Sequence, residues 1–160
     1  QSRRRIMNHE LLKNIYLFKE MSAEEHKKIS ELATLDTWQR GDEVFTQDEP
    51  AKALYVIKYG SVRIFQKGSS GDKIEVAILG TGSHFGEMAF IDGEKRSATA
   101  EVMEKSEIFR IDYDKLNTFL KSSPHTAVTF YKALSHFLCG RLRVTTTDLS
   151  FSREMNLRHF

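Results

Sequence analysis

The chain reads as a mainly β protein with flanking helices, and three patterns carry that reading. Between Leu35 and Ile111, short runs rich in β-branched and aromatic residues are broken by turn residues at intervals of about ten, as in a sandwich or barrel. Before and after that span, apolar residues fall three and four apart, as on one face of a helix. The size suits one domain: 160 residues, 40% hydrophobic and 29% charged, enough for a single sizeable core. The expected division is N-terminal helices over 1–34, a β segment over 35–111 and C-terminal helices over 112–160.

Each element has its own signal. From Asn8 to Phe18, apolar residues at 11, 12, 15, 17 and 18 predict a first helix. Ser22-Ala23-Glu24-Glu25 is a capping box, so a second helix starts there and runs to about Ala33, with His26, Ile29, Leu32 and Ala33 on one face. Trp38, Val44, Phe45 and the stretch 53–65 then favour strands, interrupted by Gly41, Pro50 and Gly60. Tyr59-Gly60, between Leu54-Tyr55-Val56-Ile57 and Val62-Arg63-Ile64-Phe65, predicts a hairpin. Gly68-Ser69-Ser70-Gly71-Asp72 is another turn, followed by strands over Ile74–Leu79, Ser97–Met103 and Glu107–Ile111.

Helical spacing returns with Asp114–Leu120, and Pro124 opens a longer helix over 124–150. There Ala127, Tyr131, Leu134, Leu138, Leu142, Thr145 and Leu149 form a heptad-like seam, widened by Phe130 and Phe137. Past Leu149 the pattern fades, which predicts a frayed helix or tail over Ser150–Phe160.

Composition excludes several classes. A formal net charge of +2 argues neither for nor against a polyanion partner, and Arg3-Arg4-Arg5 reads as a solvated tail, with phosphate or membrane-surface contact as the alternative. The single cysteine, Cys139, makes no internal disulfide, cannot by itself ligate an iron–sulfur cluster, and falls in an apolar pattern that predicts packing. No run approaches the roughly 18 apolar residues of a membrane span, and no secretory signal is visible, so the reducing cytoplasm is the expected location. Six histidines include no His-x-His pair, and no metal site or nucleophilic triad stands out. Glycines 80, 82 and 86 do not form a Walker loop.

The chemistry concentrates in Phe85-Gly86-Glu87-Met88-Ala89-Phe90-Ile91-Asp92-Gly93-Glu94-Lys95-Arg96-Ser97-Ala98. One carboxylate and one guanidinium stand nine positions apart (87 to 96) in a segment otherwise rich in apolar and small residues. Arg96 offers phosphate oxygens a planar fork that lysine lacks. An ionised Glu87 only accepts hydrogen bonds, so it suits a sugar hydroxyl and repels free phosphate. Gly86 permits close backbone approach, and a helical turn after it would aim N–H groups at an anion. The pattern fits a ligand carrying both a hydroxyl and a phosphate.

This segment resembles the phosphate-binding cassette of the cyclic-nucleotide-binding domain family, which includes bacterial catabolite activators and the regulatory subunits of protein kinase A. Leu54–Val62 is similar to the family's hairpin ahead of the cassette, and Arg141-Leu142-Arg143-Val144-Thr145-Thr146 to the activators' ligand-facing helix. The resemblance implies a β-roll, a jelly-roll barrel or double-stranded β-helix, with the cassette at 85–98. It implies that Arg96 holds the cyclic phosphate and Glu87 the ribose 2′-hydroxyl, with Gly86, Met88 and Ala89 giving backbone groups and Ser97 a hydroxyl. It further implies that Thr145 contacts an adenine in the same subunit and Thr146 one in a partner subunit. Arg141 is a further candidate, and Val76, Ala77 and Leu79 are candidates for the apolar wall.

The expected function is a regulatory cAMP sensor that does no chemistry on its ligand and needs no cofactor, with cGMP or another cyclic nucleotide as the competing ligand. The seam is expected to pair with a second copy and to pass ligand occupancy to a dimer partner or an output domain. The activators continue into a helix-turn-helix, and no such pattern occurs before Phe160, so direct DNA binding by these residues is not expected. A ligand-free dimerisation scaffold and a barrel enzyme are the two alternatives from other classes. Retention of Gly86, Glu87 and Arg96 argues against the first, and the missing metal-ligand pattern against the second.

Overall fold

The computed structural model describes residues 7–158, so the Arg3–Arg5 run lies outside the described residues. Two short helices come first, α1 (His9–Leu12) and α2 (Ala23–Leu32). Eight strands follow: β1 (Ala33–Trp38), β2 (Glu43–Phe45), β3 (Ala53–Tyr59), β4 (Ser61–Lys67), β5 (Lys73–Gly80), β6 (His84–Phe85), β7 (Thr99–Val102) and β8 (Ser106–Asp112). Helix α3 (Met88–Asp92) interrupts them after β6, and α4 (Tyr113–Ser122) and α5 (Pro124–Arg158) close the chain.

The strands form two antiparallel sheets, β1-β8-β3-β6 and β2-β7-β4-β5. Pairing is nested: β4 with β5, β3 with β6, β2 with β7 and β1 with β8. This is a jelly roll, a long ribbon of paired strands curled into two facing sheets.

The continuous apolar run of β3 follows from its position. Leu54 and Val56 point out to a core built with the helices, while Ala53, Tyr55 and Ile57 point into the roll. A strand covered on both faces loses the usual alternation. The outer core joins Phe18, Ile29, Leu116, Phe130 and Leu134 to Phe109 and Ile111 of β8.

Several expectations are corrected. Tyr59-Gly60 does not close a hairpin, because β3 and β4 lie in different sheets. Gly60 (φ +118°) turns the chain from one sheet to the other, and a Cβ there would lie 2.0 Å from Ser106 Oγ. The first helix ends at Leu12; beyond it, turns such as Ile15 N to Leu12 O and Phe18 N to Ile15 O carry the chain. Leu12, Ile15, Phe18 and Met21 are buried at a spacing of three, the period of such turns rather than of an α-helix.

The capping box at Ser22 and Glu25 is present, and α2 starts there. Helix α5 outruns 124–150 and the expected tail: it stays helical to Arg158 although its distal part is exposed. Cys139, expected to pack, is exposed.

Candidate functional site

Arg96 is buried, and its backbone is clamped first. Asp48 N donates to Arg96 O (2.8 Å), and Arg96 N donates to Glu49 O (2.9 Å). Its side chain then turns inward, with Nη2 donating to Ala53 O (2.6 Å) and Nη1 to Gly86 O and Tyr113 Oη (both 3.1 Å). The guanidinium stacks on Phe45, 3.9 Å from the ring centroid. Tyr113 in turn donates its hydroxyl to Gly86 O. Burial pushes the Tyr113 phenol above its ordinary value, against the opposing pull of Arg96.

These contacts give Gly86 a second reason to be glycine. At φ +80° it favours no side chain, and a Cβ would stand 2.9 Å from Arg96 Nη1 and 3.3 Å from Ala53 O. The cation therefore packs directly against cassette backbone.

Among the described residues, no carboxylate pairs with Arg96, and its Nε is buried without a hydrogen-bond partner. Glu87 and Arg96, the cassette's acid and base, do not form an ion pair with each other. Glu87, also buried, instead has His84 Nδ1 3.7 Å from its Oε1. The guanidinium is buried with neutral oxygens and an aromatic ring as its partners, so its desolvation is met by hydrogen bonds and ring stacking and by no opposite charge among the described residues.

A cavity of about 180 Å³ opens beside these groups. Gly86, Glu87, Met88, Ala89, Arg96, Ser97, Leu79 and Arg141 of the sequence-predicted residues all line it. Phe45, Ile64, Phe85, His84, Phe137 and Leu138 complete much of the wall. The cassette thus faces the roll interior on one side and α5 on the other.

Four predicted residues lie elsewhere. Val76 points outward and is half exposed, while Ala77, opposite Ile64, faces in without reaching the cavity wall. Thr145 and Thr146 are exposed beyond the cavity. Thr146 Oγ1 donates to Leu142 O (2.8 Å), and Thr147 to Arg143 O (3.0 Å), the local bond that mid-helix threonines make. Thr145 follows Arg141 by four residues, so it stands one turn further along the same face.

Sequence reasoning missed the partners of Arg96: Phe45, the Ala53 carbonyl and Tyr113. The Tyr113 hydroxyl, at the entry to α4, carried no signal except its place after the last strand. Among the described residues no cluster of three or more metal-ligating side chains occurs, and no helix is long and apolar enough to cross a membrane.

A two-sheet roll, an inward arginine behind a Gly-Glu turn and a long C-terminal helix frame the candidate site. The model of the cyclic nucleotide-binding domain matches residues 35–123, more than half of the chain, and the chain belongs to that family. It is 34% identical over 115 residues to the cyclic AMP receptor protein of Thermus thermophilus, covering 70% of this chain and 50% of that protein. It is 32% identical over 124 residues to cyclic GMP-binding protein C of Dictyostelium discoideum, covering 78% of this chain and 4% of that protein.

The crystal structure of the Thermus thermophilus catabolite activator protein superposes with a TM-score of 0.75 at 27% identity, covering 85% of this chain and 62% of that one. A cyclic nucleotide-binding domain from Methylobacillus flagellatus shares the fold with a TM-score of 0.77 at 24% identity, covering 87% of this chain and 78% of that one. The chain spans half or less of the length of the curated relatives named here.

Proposed function

We propose that this chain is a cAMP-responsive regulatory domain whose ligand bridges the cassette and helix α5. The observation that carries the reading is Arg96: a buried cation held by three neutral oxygens, its Nε unpartnered, on the wall of a cavity that Glu87 also lines. A cyclic phosphate supplies the missing opposite charge, and Glu87 accepts the ribose 2′-hydroxyl.

Phe137, Leu138 and Arg141 of α5 line the other side of the cavity, so a purine there touches cassette and helix at once. Ligand favours the closed arrangement to the extent that it binds that arrangement more tightly. Thr145, one turn beyond Arg141, comes within reach of the base only as α5 closes. Thr146 would serve a second copy.

Dimerisation belongs to the same reading. Leu142, Leu149 and Leu157 are more than half exposed on one face of distal α5, a stripe suited to a second apolar helix, while exposed Val144 and Phe151 lie on the opposite face. The Thermus relative's name supports cAMP as the ligand, the Dictyostelium relative's name supports cGMP, and the threonine pair favours the adenine base.

The test is calorimetric titration of folded protein, stripped of copurified nucleotide, with cAMP and with cGMP. The expected result is saturable heat with cAMP, weaker binding of cGMP, and affinity reduced about tenfold or more in Arg96→Lys, which keeps the charge but loses the fork. Absence of heat with either nucleotide rejects the reading; tighter binding of cGMP corrects the base.

A further inference from the structure

His84 is a cavity residue with no role in the reading above. It lies on β6 opposite Val56 of β3 and is 5% exposed. Both ring nitrogens are buried without hydrogen-bond partners, which is costly for a side chain carrying at least one N–H donor. The titratable group facing it is Glu87, with 3.7 Å between Nδ1 and Oε1. From α5 it meets the ring of Phe137, with centroids 4.4 Å apart, and from β3 it faces apolar Val56. The imidazole thus stands between the cassette carboxylate and the closing helix.

A movement of roughly 0.7 Å turns the approach to Glu87 into a hydrogen bond of ordinary length. Two residues of the turn, Phe85 and Gly86, separate the pair, so the movement needs only side-chain adjustment. We propose that His84 is a positioning residue for Glu87, an inference that rests on the nucleotide reading of this site. Its Nδ1–H donates to Oε1 and leaves Oε2 turned toward the ribose 2′-hydroxyl. Because the same ring packs on Phe137, the orientation of Glu87 depends on where α5 lies. Ribose recognition and helix position are coupled through one side chain.

The experiment compares cAMP with 2′-deoxy-cAMP by calorimetry in the full chain and in three variants. His84→Phe keeps a ring against Phe137 and removes both nitrogens. His84→Asn places an amide N–H near the position of Nδ1, whereas His84→Gln reaches toward that of Nε2. The preference for cAMP over the deoxy analogue is expected to fall about fivefold in His84→Phe, as for loss of one hydrogen bond. It is expected to return in His84→Asn and to stay low in His84→Gln.

An unchanged preference in His84→Phe, or equal preferences in the Asn and Gln variants, overturns the proposal and leaves the ring as packing. Failure of the unmodified chain to bind either nucleotide rejects the site reading itself. That outcome is distinct from binding with an unchanged preference.

Discussion

The cassette and the distal half of α5 invert the ordinary rule of burial in opposite senses. In the cassette, Arg96 and Glu87, and just before it His84, are buried where apolar side chains usually sit. Along distal α5, Leu142, Val144, Leu149, Phe151 and Leu157 face solvent where polar side chains usually sit. The first inversion is held in place by the fold: Arg96 is tied to β2, β3, the cassette backbone and α4. The second has no such support, since buried residues of α5 end at Leu134. The difference teaches that the candidate site is held together within a single chain, while the distal helix surface has no partner among the described residues.

The largest expected effect separates the two regions by ligand. Arg96→Ala lowers cAMP affinity about 100-fold or more, as loss of charge-assisted bonds at a buried site implies, while Thr145→Ala costs no more than about fivefold. Comparable losses in both variants, read by calorimetry, would break the contrast. Next comes self-association. Leu142→Glu with Leu149→Glu raises the dimer dissociation constant at least about tenfold by sedimentation, because charges enter an apolar seam. Thermal stability of the dilute protein changes by less than about 0.5 kcal/mol per site, since neither side chain is buried. A self-association unmoved by both charges would place the interface elsewhere.

The smallest effect concerns alkaline stability. Burial raises the Tyr113 phenol above its ordinary value of 10.0, so the folded chain keeps a proton that the unfolded chain releases. Its contribution is complete below pH 10.0 and is lost as pH rises from there through the folded value. Tyr113→Phe makes the decline shallower in denaturant melts taken at successive pH values. Tyr55, raised by burial in the same direction, preserves part of it. A steeper decline in the variant would contradict the assignment.

How much could be read from the chain differs by kind of interaction. The cassette was legible because Gly86, Glu87 and Arg96 are close in sequence, and their residue types limit what they can do. The stack on Phe45 and the bonds to Ala53 and Tyr113 were not, because they arise from distant segments that only the sheet pairing brings together. The β3–β4 turn misled for a related reason: Tyr59-Gly60 signals a reversal, but local pattern does not say which sheet the next strand joins. The first helix ends earlier than expected because a spacing of three at Leu12, Ile15 and Phe18 lies too near 3.6 to be told apart over so few residues. The distal helix ran past its expected end because loss of an apolar pattern marks loss of a partner surface, not of helical backbone.

The nested strand pairing also dictates how such a chain reaches its native form. Among the described residues only β4 and β5 are strands neighbouring in both sequence and space, joined by a short turn at Gly68–Asp72, and such hairpins close in about 1–10 μs. Every other nested pairing spans a longer loop, up to Ala33 against Ile111, and so carries a larger loop-closure entropy. A topology so dominated by distant contacts folds in milliseconds to seconds rather than microseconds. The cassette lies between β6 and β7, so its two ends are anchored by the β3–β6 and β2–β7 pairings, which join segments far apart in the sequence.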